Sequence, residues 1–235
     1  MRILFVVTSQ DRLGHRGART GFRFDEFATV YLAVVAAGAE VVIASPLGGA
    51  PPIEPDSHDR SNPSEVVSRF MADSEARDAL TDTLELRCVE AMDFDAAFYP
   101  GGMGSLWDLP NQADSIAVLA ALHRAARPMA FLSHGPAALC RVQSETGRAI
   151  VAGRTITLIG AAEDPRFAAP VPGLGNVEEA LRAAGAKVVR AADGVPHVVA
   201  DDLLITGQNP ASASQLAETL LAAIASRSST TSGKS

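Results

Sequence analysis

Pro128-Met129-Ala130-Phe131-Leu132-Ser133-His134-Gly135-Pro136-Ala137-Ala138-Leu139 is the stretch that decides how this chain folds. Its first five residues form a short apolar run without alternation, the pattern of a strand covered on both faces. Its last four favour a helix, and the turn between them carries a hydroxyl and an imidazole at its tip. A strand that bends sharply into a helix lifts the tip side chain clear of the sheet and aims the first helical N–H groups at any oxyanion formed beside it. Ser133 is therefore a candidate nucleophile. Its bland alternative is a helix N-cap, a position that serine favours.

The same alternation repeats outward in both directions. Apolar runs at Ile3 to Val7, Val41 to Ala44, Ala96 to Tyr99, Met129 to Leu132, Thr155 to Leu158, Lys187 to Arg190 and Leu203 to Thr206 read as strands. Helices are expected at Phe24 to Ala37, Ala113 to Ala126, Val177 to Ala184 and Ala211 to Ala225. Gly38 and Gly185 fall where a helix-ending glycine belongs. Strands alternating with helices predict an α/β fold, a three-layer α/β/α sandwich around a mostly parallel sheet. Residues 1–225 read as one domain, and the polar segment 226–235 as a disordered tail. The stretch from Ser45 to Pro63, rich in Pro, Gly, Asp and Ser, reads as a loop on the carboxyl side of the sheet.

Composition excludes several classes of function. Net charge is -7, with Lys+Arg 20 against Asp+Glu 27, and no basic block recurs, so a nucleic-acid partner is not expected. The amino-terminal apolar run is too short for a signal peptide, and no stretch approaches the roughly 18 apolar residues of a membrane span. A cytoplasmic protein without a membrane partner is expected. Cys88 and Cys140 cannot build a disulfide framework and lack zinc spacing. His15, His58, His123 and His197 show no ligand spacing, so no metal is assigned. The ending Gly233-Lys234-Ser235 is not a phosphate loop, because Ser228 stands where that motif needs glycine. No Gly-x-Gly-x-x-Gly follows the first strand, so no dinucleotide is expected, and no cofactor is assigned at all. Phe131 replaces the leading glycine of a lipase-type elbow.

Three further segments lie after expected strands, where ligands gather in an open α/β sheet. In Thr20 to Phe27, the acidic pair Asp25-Glu26 opens the first helix, as dipole considerations alone would favour. Glu26, flanked by Phe24 and Phe27, is expected to point inward, where burial would raise its pKa toward neutrality. In Phe98 to Gly104, the turn Gly101-Gly102-Met103 can bring backbone N–H groups close to an oxyanion, although a plain turn explains two glycines equally well. In Ile205 to Ser212, the Asn-Pro-Ala-Ser stretch can simply start the last helix.

Taken together, these segments resemble the ThiJ/PfpI superfamily of class I glutamine amidotransferase-like, flavodoxin-like folds, and within it the chaperone and glyoxalase III branch. The resemblance spans residues 2–225. It rests on Thr20-Gly21 with Glu26 and Tyr31, Ala44 to Gly49 with Pro51 to Ser57, Tyr99-Pro100-Gly101-Gly102, Ser133 to Leu139, Val151 to Arg154, and Leu204 to Ser212. It implies a cysteine nucleophile at the elbow, a following histidine, and a glutamate that hydrogen-bonds the thiol. Glyoxalase III members convert methylglyoxal to lactate without metal or glutathione. Carried over, the glutamate falls on Glu26, the histidine on His134, and the oxyanion donors on the backbone around Gly102 and His134. An acid orienting the histidine would fall on Glu163 or Asp164, and a homodimer is implied.

Two residues depart from this pattern. Ser133 stands in place of the cysteine, and Met103 stands where the glycine turn of this branch usually carries histidine. A serine hydroxyl is a weak nucleophile unless a base activates it. Three readings follow: a glyoxalase III or deglycase-like enzyme acting on small aldehydes with activity reduced by serine, a non-catalytic ligand-binding or chaperone relative, and a serine hydrolase or amidase. Cys140, seven residues past Ser133, is about two helical turns away. It reads as a buried hydrophobe rather than a substitute nucleophile.

Overall fold

A computed structural model describes residues 1–14, 17–58 and 63–232. The chain runs through β1 (Arg2–Val6), α1 (Phe24–Ala36), β2 (Glu40–Ser45), α2 (Glu65–Ala72), α3 (Ser74–Thr81), β3 (Leu84–Glu85), β4 (Ala96–Tyr99) and α4 (Met103–Trp107). It continues with α5 (Ala113–Arg124), β5 (Met129–Leu132), β6 (Thr155–Ile156), α6 (Val177–Ala183), β7 (Lys187–Val188), β8 (Val198–Asp201), β9 (Leu204–Gly207) and α7 (Ala213–Ser232).

Seven strands form one sheet in the order β3-β2-β1-β4-β5-β9-β8, parallel throughout except for β8, which runs antiparallel to β9. Period-two alternation sends β1 residues to opposite faces. Ile3 and Phe5 meet α1, α2 and α7 through Phe27, Tyr31, Phe70 and Leu216, while Leu4 and Val6 belong to the core under α5 and α6 with Leu119, Leu122 and Leu181. The sheet is thus covered on both sides, giving the α/β/α sandwich. From β1 the chain steps to β2 on one side, and β4 lies on the other. That reversal opens a crevice at the carboxyl ends of β1 and β4.

Several elements depart from the sequence reading. Thr155–Ile156 and Lys187–Val188 pair with each other in a separate two-stranded sheet rather than joining the main one. β3 and β8, and helices α2, α3 and α4, were not anticipated. The run after Ser133 is a 3-10 helix, Gly135–Leu139, continued by tight three-residue bonds such as Cys140 N–H to Ala137 O, and not an α-helix. The last helix runs to Ser232, so most of the segment read as a disordered tail has helical backbone. His15 and the ending Gly233-Lys234-Ser235 lie outside the described residues, as does 59–62 of the loop after Ser45. Gly38 and Gly185 close their helices at φ 83° and 95°, as the sequence suggested. Among the described residues no helix is long and apolar enough to cross a membrane.

Candidate active site

Ser133 adopts φ 51°, a left-handed conformation that costs a non-glycine residue on the order of 1–3 kcal/mol. It is held there from both sides: its N–H donates to Gly207 O at 2.9 Å, and its carbonyl accepts from Ile159 N–H at 3.1 Å. Gly135 completes the bend, because a Cβ at that position would lie 2.4 Å from Tyr99 O. The elbow therefore follows from β9 on one side and β4 on the other. The Ser133 side chain is fully buried.

Its hydroxyl donates to Glu26 Oε1, presented from the first turn of α1. Glu26 Oε2 accepts the Gly101 N–H at 2.8 Å, which fixes the carboxyl across the gap between α1 and β4. Burial pushes the Glu26 pKa up to about 7, and Asp25 adds to the rise, against the opposing pull of the Arg23 guanidinium and the two hydrogen bonds. Arg23 Nε approaches Glu26 Oε1 to 3.5 Å without hydrogen-bond alignment. A carboxyl that titrates near neutrality against a serine hydroxyl is a hydroxyl–carboxyl dyad able to pass a proton in either direction.

His134 does not face Ser133 as a base. Its Nδ1 accepts the Gly102 N–H at 3.2 Å, so the ring proton sits on Nε2, 3.3 Å from Asp164 Oδ2. That approach is too poorly aligned to be a hydrogen bond, and Nε2 is left unsatisfied. Burial alone would raise the Asp164 carboxyl, but His134 and the Arg166 fork, with Nε 2.9 Å from Oδ1 and Nη2 2.8 Å from Oδ2, hold it well below the ordinary range. Of the two acids considered for orienting His134, only Asp164 lies against it. Glu163 turns instead to Gly194 N–H at 2.6 Å, Asn209 Nδ2 at 2.7 Å and Gln208 Nε2 at 3.1 Å.

The glycine turn differs most from its expected role. Its three N–H groups are already used: Gly101 donates to Glu26, Gly102 to His134, and Met103 to Glu54 Oε2 at 2.8 Å. None is free to receive an oxyanion without rearrangement. The glycines are nonetheless required, since a Cβ on Gly101 would stand 2.8 Å from both Glu26 Oε2 and Ser133 Cβ. Glu54 is a functional-site residue that sequence reasoning missed. Only 1 % exposed, it accepts from Thr20, Met103 and Arg166, and through Arg166 it ties the loop after β2 to the Asp164–His134 pair. Cys140 is remote from this arrangement, its thiol pushed up to about 12 by burial. Among the described residues, no group of His, Cys, Asp and Glu side chains is placed to hold a metal ion.

A cleft of about 810 Å³ opens over His134, walled by Arg23, Asp56, Ile159, Glu163, Asp164 and Arg166 and closed by the residues 193–194 and 209–211. Ser133 and Glu26 are buried and do not line it, whereas His134, the next residue in the chain, and Arg23, 3.5 Å from Glu26, do.

A strand-elbow hydroxyl, a buried glutamate from the first helix, and a histidine–aspartate pair thus meet on one α/β/α sandwich, and the chain is similar to class I glutamine amidotransferase-like proteins. No family model matches the chain. It is 29 % identical over 153 residues to a glutamine amidotransferase-like class 1 domain-containing protein of Bos taurus, covering 63 % of this chain and 68 % of that one. It is also 29 % identical over 134 residues to a probable glutathione-independent glyoxalase of Schizosaccharomyces pombe, covering 55 % and 60 %. Among solved structures, the Francisella tularensis Rapid Encystment Protein 24 KDa superposes with TM-score 0.87 at 28 % identity over 95 % of this chain and 98 % of that one. Glyoxalase III from Candida albicans shares the fold, with TM-score 0.83 at 23 % identity over 94 % and 96 %. A ThiJ/PfpI domain protein from Brachyspira murdochii shares the fold as well, with TM-score 0.64 at 17 % identity over 96 % of each chain.

Proposed function

We propose that the protein is a glyoxalase III-like enzyme for small reactive aldehydes such as methylglyoxal, working slowly because oxygen replaces sulfur at the elbow. One observation carries the reading: the buried Ser133 hydroxyl is hydrogen-bonded to a glutamate whose carboxyl titrates near neutrality. Ionised Glu26 accepts the Ser133 proton as Oγ adds to the aldehyde carbon, and returns it to the new alkoxide to give a hemiacetal. Glu26 then takes the hydrogen of that carbon as a proton and delivers it to the neighbouring carbon through an enediolate. The product is a lactoyl ester of Ser133, which water hydrolyses to lactate while restoring the hydroxyl. No electrons enter or leave the pair of substrates, and the net change is addition of one water. In this reading His134 donates its Nε2 proton to a substrate oxygen.

A second reading, ligand binding without turnover, is favoured by the full occupation of the Gly101, Gly102 and Met103 N–H groups. Lactate release from methylglyoxal separates the two. Slow formation by the protein, lost in both Ser133→Ala and Glu26→Gln, supports the enzyme. A rate unchanged in Ser133→Ala rules out the serine route, and no product from any form leaves the binding reading.

A further inference from the structure

The cleft is larger and more acidic than a three-carbon aldehyde calls for. About 810 Å³ is a volume that accommodates drug-sized ligands. Its charge is also lopsided. Near the elbow, Arg23 and Arg166 are matched by acids: Arg23 contacts Asp25 at 2.6 Å, and Arg166 contacts Asp164 and Glu54 at 2.8 Å each. Asp56 reaches towards both at 3.5 and 3.9 Å. These cations therefore have no charge left for a substrate anion. On the wall further out, Glu163 and Asp193 have no cationic partner among the described residues. Glu163 is moreover fixed in place by three neutral donors, Gly194 N–H, Gln208 and Asn209. These orient its carboxylate without cancelling its charge. At the inner wall, the buried Nε2 of His134 has no aligned hydrogen-bond partner and lies 3.3 Å from Asp164 Oδ2, both residues lining the same cleft.

We infer that the cleft takes a carbonyl compound bearing a cationic end, an ammonium or guanidinium group, with the carbonyl oxygen toward His134 Nε2–H and the cation against Glu163 and Asp193. The same field disfavours carboxylate-bearing carbonyls. The orientation rests on the proposed carbonyl chemistry at Ser133, but the charge preference is measurable without turnover.

The test is binding to the intact protein, followed by NMR titration, of three aldehydes: trimethylammonio-butanal, its neutral tert-butyl isostere, and succinic semialdehyde. The cation is expected to bind about fivefold or more tighter than the isostere, and the anion more weakly than either. Asp193→Asn, on an exposed side chain that the fold does not depend on, and Glu163→Gln should each shrink the cation's advantage and leave the isostere unchanged. Equal affinities for cation and isostere, or an advantage that survives both substitutions, overturn the inference. Cation-selective binding without lactate formation would remove the enzyme reading and leave the charge preference standing.

Discussion

Glu26→Gln gives the sharpest physical test of the site. Burial raises the Glu26 carboxyl from 4.5 to about 7, so the folded protein holds this proton more tightly than the unfolded chain does. As pH rises through 4.5 the unfolded chain ionises first, and folding must then bear a protonated or buried ionised acid. The penalty grows until the folded state also ionises near 7, and it is constant above that. At about 1.4 kcal/mol for each tenfold in affinity, the loss between the two limits is about 3 kcal/mol. For a chain of this length that corresponds to about 6–12 °C in Tm. Glutamine nearly matches the neutral acid in shape, and it can keep a bond to Ser133 or Gly101, so at acid pH the two proteins should differ by only about 1 kcal/mol. Urea unfolding of both proteins from pH 4.5 to pH 8 gives a difference curve in which other shared groups cancel. Glu26→Gln should gain on the parent by about 3 kcal/mol across that window. A flat difference curve would refute a buried, neutral-titrating Glu26.

Gly102→Ala is expected to destabilise by at least about 3 kcal/mol or to prevent folding, because Gly102 has φ 118° and its Cβ would lie 2.2 Å from Gly21 O and 2.6 Å from Phe22 Cα, both backbone atoms that cannot swing away. Chemical denaturation with a loss under about 1 kcal/mol would contradict that crowding. Arg166→Met leaves buried Glu54 and the carboxylate under His134 without their cation. A loss of about 2 kcal/mol is expected, less than for a fully buried pair because the Arg166 side chain is 42 % exposed. Since Asp164 is held below its ordinary range, the stability this contact contributes is present above about pH 3.8 and fades as pH falls through the folded value, so the gap between variant and parent should narrow in acid. A gap that widens in acid would contradict the clamp.

The central strands were legible because their apolar runs are unbroken and end at glycine turns: Ala96 to Tyr99 and Met129 to Leu132 coincide with β4 and β5. Strand character does not name a partner, however. Thr155 and Lys187 begin strands that look like any others and yet pair apart from the main sheet. α2 and α3 escaped because each has only eight residues, α3 is mostly charged or polar, and the two together bury only Val67, Phe70, Ala76 and Leu80. At the site, Ser133, His134 and Glu26 are neighbours of diagnostic turns and could be read locally. Glu54 could not, because an acid between prolines reads as surface, and its burial is created by Thr20, Met103 and Arg166 from three other parts of the chain. The adjacent acids Glu163 and Asp164 were indistinguishable for a similar reason. Asp164 caps the short helix after it by accepting from Arg166 N–H, and that turn directs its side chain to His134 and sends Glu163 the other way.

In the proposed function Glu26 is the acid–base partner of an oxygen nucleophile at the elbow, where the sequence resemblance implies sulfur. A thiol at that position would be partly ionised near neutrality, as the hydroxyl is not. The direct measurement is kcat/KM for lactate formation from methylglyoxal by the protein and by Ser133→Cys, at equal fold stability. A gain on the order of a hundredfold or more is expected for the cysteine form. Equal rates for the two, or no lactate from Ser133→Cys, would contradict it.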